Sequence, residues 1–112
     1  MSAAVAVVLR RAARVVLERG LTSSPVGFDA DDQVDALHAI AYAVCGDVLM
    51  YDATGDQRDA YAVAVEAVAC HLDEYHSGRG GWPTAEIVVR DYTVDMTAGE
   101  VADMLRAAGG VR

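Results

Sequence analysis

Between Tyr61 and Tyr75 the side chains of Tyr61, Val65, Val68, Leu72 and Tyr75 recur at steps of four, three, four and three residues. That period keeps one face of an α-helix turned toward a core, and a β-strand cannot use it. A second strip, Ala60, Ala64 and Ala67, is small enough to let a neighbouring helix approach closely. The stretch also has a start signal, because in Thr54-Gly-Asp-Gln57 the hydroxyl and the amide three residues apart suit a capping box. This pattern predicts the central helix of the fold.

Similar patterns lie on either side. In the opening stretch Val5, Val8, Leu9, Ala12, Val15 and Val16 keep helical spacing while Arg10, Arg14 and Glu18 line another face, with Ser2 suited to cap the start and Gly20 the end. Leu21 can then fold back on the last turn. Residues 21–30 read as a connecting loop pinned by Val26 and Phe28. Asp31 or Asp32 is expected to cap a second helix that carries Val34, Leu37, Ala41 and Val44 on one stripe as far as Gly46. The final helix has the clearest signals: Thr97 and Glu100 form a second capping box, Met96 and Val101 can staple it, and Gly109 and Gly110 end it.

Residues 84–92 admit two readings. Ile87, Val88 and Val89 are a β-branched run that suits a short strand near 86–92, whereas Thr84 could cap a short helix with Val88 and Tyr92 on one side. The expected architecture is all-α, one domain over residues 1–112, with four to five helices around one core and that short strand as the open alternative.

The apolar residues are mostly Ala and Val, with one Phe and one Trp, so each buried position removes little surface from water. So thin a core in 112 residues makes a homodimer the expectation. Seventeen acidic residues against nine basic ones give a net charge of −8. That charge repels phosphate backbones and argues against direct nucleic-acid binding, while it suits a protein partner with a basic face and an association that weakens with salt. Arg10, Arg11, Arg14, Glu18 and Arg19 interrupt the first apolar stretch, so neither a membrane span nor a signal peptide is read there. Cys45 and Cys70 lack the close spacing of a metal knuckle or redox pair, which predicts reduced thiols and a cytoplasmic setting.

Candidate chemistry is sparse. The pairs Asp35/His38 and Asp73/His76 each put a carboxylate and an imidazole on one helix face, but the bridging carboxylates of a bundle metal site are not evident. Cys45, Cys70, His38 and His71 could gather round zinc only if the second and third helices lie side by side. No Gly-x-Ser-x-Gly elbow occurs, and Gly78-Arg-Gly-Gly81 lacks the Lys-Ser/Thr of a phosphate loop. A catalytic reading therefore has no anchor, and no cofactor is expected; a small metal-dependent enzyme using His38, His71 or His76 is the alternative. Arg10, Arg11 and Arg14 are expected to pair with Glu18 and neighbouring carboxylates. Trp82 and Pro83, beside a glycine-rich loop, and Tyr92 with Arg90 are the candidate partner-binding residues, since aromatics near such a loop can anchor protein partners; the alternative is a Trp82 folded back over the aromatic-poor core. The acidic surface also raises nucleic-acid mimicry, although the acids are scattered among arginines and form no blocks.

Three stretches carry a family resemblance: Leu9-Arg-Arg-Ala-Ala-Arg-Val-Val-Leu-Glu-Arg-Gly20, Asp35-Ala-Leu-His-Ala-Ile40 and Thr97-Ala-Gly-Glu-Val-Ala-Asp-Met-Leu105. They resemble a family of small proteins of unknown function found in actinobacteria, especially streptomycetes, and in phages that infect mycobacteria and their relatives. Where that family shows Cys-Ala-Leu-Gly-Ala, Asp35 and His38 replace the Cys and Gly, and Val89-Arg90-Asp91 stands for its Trp-Asn-Asp. Asp91, Thr97, Glu100 and Val101 keep the pattern. The resemblance implies a helical fold and a phage or actinobacterial setting, and all nine basic residues being Arg, with no Lys or Asn, fits a high-G+C genome. It implies an accessory protein that binds a partner, such as a host protein, in the host cytoplasm if phage-encoded.

Overall fold

The computed structural model describes residues 3–22, 33–72 and 81–110, with the side chains of 3 and 81–84 left aside. Five helices occupy the described residues: α1 (Ala3–Arg19), α2 (Ala36–Cys45), α3 (Gly55–His71), α4 (Gly81–Thr93) and α5 (Ala98–Ala108). The all-α architecture is as expected. The proposed Ser2 cap, the Val26 and Phe28 pins, Asp73, Tyr75, His76 and the glycine loop at 77–80 lie outside the described residues.

Helix α1 completely buries Leu9, Ala12 and Val16 of the stripe its spacing marks, with Ala13 beside them, while Val8 and Val15 are partly buried. Gly20, at φ +84°, closes it by donating its N–H to the Val16 carbonyl at 2.8 Å, in a left-handed conformation that favours glycine. Leu21 is partly buried against the core. It forms an isolated parallel bridge with Val34, in which the Thr22 N–H donates to the Val34 carbonyl and the Val34 N–H to the Gly20 carbonyl, each at 3.1 Å. The extended backbone at Val34 delays the second helix, so Asp35 caps it in place of Asp31 or Asp32, its carboxylate accepting the His38 N–H at 2.7 Å. Val34 is fully buried, but from the bridge and not from the helical stripe.

Helix α3 opens with both halves of its capping box formed: Gln57 N–H to Thr54 Oγ1 at 3.1 Å and Thr54 N–H to Gln57 Oε1 at 2.9 Å. It packs against all four other helices and buries Ala64, Val65, Val68 and Ala69 completely, which makes it the central helix.

The strand alternative near 86–92 is overturned, because those residues are the body of α4. Ala85, Val89 and Thr93, four apart, turn inward while Ile87 stays exposed, so the β-branched run is split between two helical faces. Pro83 is the third residue of the helix, where a missing N–H breaks no internal bond, and Thr84 lies inside the helix instead of capping it. The buried Thr93 hydroxyl donates to the Val89 carbonyl at 2.7 Å.

Helix α5 has the second capping box, with Thr97 N–H to Glu100 Oε1 at 3.0 Å and Glu100 N–H to Thr97 Oγ1 at 3.2 Å. It packs extensively on α1. At Gly109, just past its end, an added Cβ would sit 3.4 Å from Ala6 Cα and Leu9 Cβ. The largest fully buried side chains are Leu9, Ile40 and Leu105 followed by valines, the thin aliphatic core that the composition requires.

Candidate functional site: a cleft between α2, α3 and α4

The turn after α2 sets one wall of the cleft. Gly46 ends the helix at φ +76°, and Met50 takes φ +54°, a region few non-glycine residues enter. Asp47 organises the turn, its two carboxylate oxygens accepting the Leu49 N–H at 3.0 Å and the Tyr51 N–H at 3.1 Å. Val48, Leu49 and Met50 thereby face a cleft of about 540 Å³. Leu37, Ala41 and Ala62 supply its other apolar surface, and His38, Arg58, Asp59, Tyr61, Glu86 and Arg90 supply its polar groups.

Two polar ties cross or border this space. The Asp35 carboxylate caps α2 and also contacts His38 Nδ1 at 2.8 Å, so the same group that starts the helix orients the imidazole. The Tyr61 hydroxyl donates to Glu86 Oε2, joining α3 to α4. Burial, then this bond to the Glu86 carboxylate and its negative charge, raise the Tyr61 phenol well above its ordinary 10.0. Tyr61 therefore stays a neutral donor at physiological pH. Among the described residues, the lining holds no Ser, Thr or Cys.

The sequence-predicted residues are distributed unevenly. Arg90 lines the cleft. Tyr92 is half exposed near the C-terminal end of α4 and does not line it. Trp82 falls in the first turn of α4, its side chain outside the described residues. His38 is in the cleft, His71 is exposed as the last residue of α3, and the cleft does not bring the two together. Among the described residues no three His, Cys, Asp or Glu side chains are grouped to hold a metal ion. Both thiols are free, with Cys70 exposed and Cys45 partly buried; the Cys45 thiol donates toward the Ala41 and Asp47 carbonyls at 3.5 and 3.4 Å. Arg10, Arg11 and Arg14 do not pair with Glu18 as expected: they point to solvent, and the ion pairs among the described residues are His38–Asp35 and Arg106–Asp103. Exposed pairs of this kind gain little against the entropy of two long side chains.

Sequence reasoning missed Tyr61–Glu86, Arg58 and the turn at 47–50. Tyr61 was placed by its period as a core residue, which it partly is. The usable signal was its hydroxyl, since a buried tyrosine needs a partner, but Glu86 is 25 residues away and nothing local points to it.

The chain belongs to the family of unknown function DUF6197, whose model matches residues 1–110. No curated protein and no solved structure matches it. No described helix is long and apolar enough to cross a membrane.

Proposed function

We propose that this member of DUF6197 acts by binding a partner protein, and that the cleft between α2, α3 and α4 is its recognition site. The observation that carries this reading is a cleft of about 540 Å³ with an apolar floor and convergent polar groups. That volume is within the range of roughly 300–1,000 Å³ typical of ligand sites. Leu49 on its wall and Tyr51 just beyond are both exposed, Tyr51 by 77%, which is the aromatic and aliphatic equipment of an interface. Arg90 joins this surface to α4. The setting is that of an accessory protein of actinobacteria or their phages, working in the cytoplasm; the arginine-only basicity supports it.

The test is affinity capture from an actinobacterial lysate with the wild-type chain and two variants, Leu49→Arg on the rim and Ala62→Leu in the cleft. A protein retained by the wild type and lost by both variants is the expected result. Equal retention by all three would move recognition away from the cleft.

We also propose a homodimer. Val63 is 52% exposed beside a shallow groove that Ala4, Val5 and Val8 of α1 form with Ala60 of α3. Light scattering on the purified chain should give twice the monomer mass, and Val63→Glu should halve it.

A further inference from the structure

The overall charge of −8 suggests a basic partner, but hydrogen-bonding capacity at the cleft runs the other way. Most carboxylates around it have at least one oxygen engaged within the chain. Glu86 accepts from the Tyr61 hydroxyl, Asp35 takes the His38 N–H and faces its ring, and both oxygens of Asp47 hold the turn. Asp59 is the exception, and it stands at the edge that the cleft shares with the α1–α3 groove.

The donors are not committed in this way. Glu86 and Arg90 are four apart on α4, the spacing at which a helical ion pair forms, yet Glu86 is held by Tyr61 and the pair is not among the ion pairs of the described residues. The Arg90 carbonyl accepts from the Thr93 hydroxyl at 3.4 Å, but its guanidinium makes no hydrogen bond or ion pair among the described residues. Arg58 makes one long bond, from Nε to the Ala53 carbonyl at 3.5 Å, which leaves its terminal nitrogens available. Two guanidinium forks, one from α3 and one from α4, thus border an apolar floor of Leu37, Ala41, Val48 and Ala62. A planar fork of N–H donors is matched by a carboxylate.

We infer that the cleft recognises an acidic side chain flanked by apolar residues on a segment of the partner protein, its carboxylate met by Arg58 and Arg90. This rests on the reading of the cleft as a binding site and adds the chemistry of what enters it. The recognised group has the same sign as the chain, so long-range repulsion opposes the encounter and added salt speeds association. A basic partner would show the reverse.

The experiment is an NMR titration of the ¹⁵N-labelled chain with three blocked peptides, acetyl-Leu-Glu-Leu-amide and its Gln and Lys counterparts at the central position. Saturable shifts at residues 37–41, 48–50, 58–62 and 86–90 are expected with the Glu peptide. The Gln peptide should bind about tenfold more weakly, and the Lys peptide should leave those residues unmoved. Arg58→Ala and Arg90→Ala should each weaken the Glu peptide by about tenfold. Binding of the Lys peptide at the cleft as tightly as the Glu peptide would overturn the inference while leaving the binding site standing, and so would Glu-peptide affinity unchanged in both arginine variants. No shift at the cleft with any of the three would remove the inference and the site together.

Discussion

The α1–α5 side of the molecule and the α3–α4 side are built on different terms. On the first, Leu9, Ala12, Ala13, Val16, Val101, Ala102 and Leu105 are all fully buried, and the chain at Gly109 lies so near α1 that an added Cβ would already touch Ala6 and Leu9. On the second, Val65, Val68, Ala85 and Val89 form a dry layer, but beside it the Tyr61–Glu86 bond borders an open cleft. Apolar packing is non-directional and fills space. A hydrogen bond fixes two groups at one separation, and here it holds α3 and α4 in a geometry that leaves room between them and α2.

The sharpest way to break this contrast is to cut into the dry side. Leu9→Ala removes one of the largest wholly buried side chains and should cost about 2–5 kcal/mol, read from the midpoint of urea unfolding. Cleft resonances should barely move in the folded fraction. A cost below about 1 kcal/mol would mean that the α1–α5 contact is not the stabilising half.

Tyr61→Phe keeps the ring and removes only the hydroxyl, leaving the half-buried Glu86 without that donor. The expected loss is about 1–3 kcal/mol, smaller than that for Leu9→Ala, together with shifts confined to α3, α4 and the turn at 47–50. A variant as stable as the wild type would show the bond to be incidental to the cleft.

The same tyrosine gives a pH signature to the α3–α4 side alone. Its folded value lies above the unfolded 10.0, so below pH 10 the phenol is protonated in both states and its contribution is complete. Above that the unfolded chain releases the proton first, and stability falls until the folded phenol ionises as well. One such group sets a slope of at most about 1.4 kcal/mol per pH unit. Urea midpoints measured upward from pH 9 should show this component in the wild type and lose it in Tyr61→Phe; parallel curves would count against the Tyr61 assignment.

How much of this was written in the sequence differs between the two sides for a physical reason. Helix periods and caps are local, so α1, α3 and α5 could be placed from spacing, from Thr54/Gln57 and from Thr97/Glu100 alone. The start of α2 was misplaced because a bridge to Leu21, thirteen residues back in the chain, holds Val34 extended, and α4 was ambiguous because three β-branched residues satisfy either period until a neighbour selects one face. Of the cleft lining, His38 and Arg90 stand out in the sequence as candidate residues, and Leu37, Ala41 and Tyr61 only as parts of helical stripes. The assembly of the cleft depends on which helices meet, and a bond such as Tyr61–Glu86 leaves no mark in local spacing.

The smallest expected effect is the one that separates stability from recognition. Arg58 and Arg90 are exposed, and the Arg90 guanidinium makes no hydrogen bond or ion pair among the described residues, so Arg58→Ala and Arg90→Ala should each change stability by less than about 0.5 kcal/mol. Their worth, on the reading above, is to a partner, and they should reduce binding of the acidic peptide while the urea midpoint stays where it was. If either variant instead unfolds as readily as Tyr61→Phe, its guanidinium is part of the scaffold that holds α3 and α4 together, and the division between a packed side that stabilises and an open side that recognises would have to be redrawn through that residue.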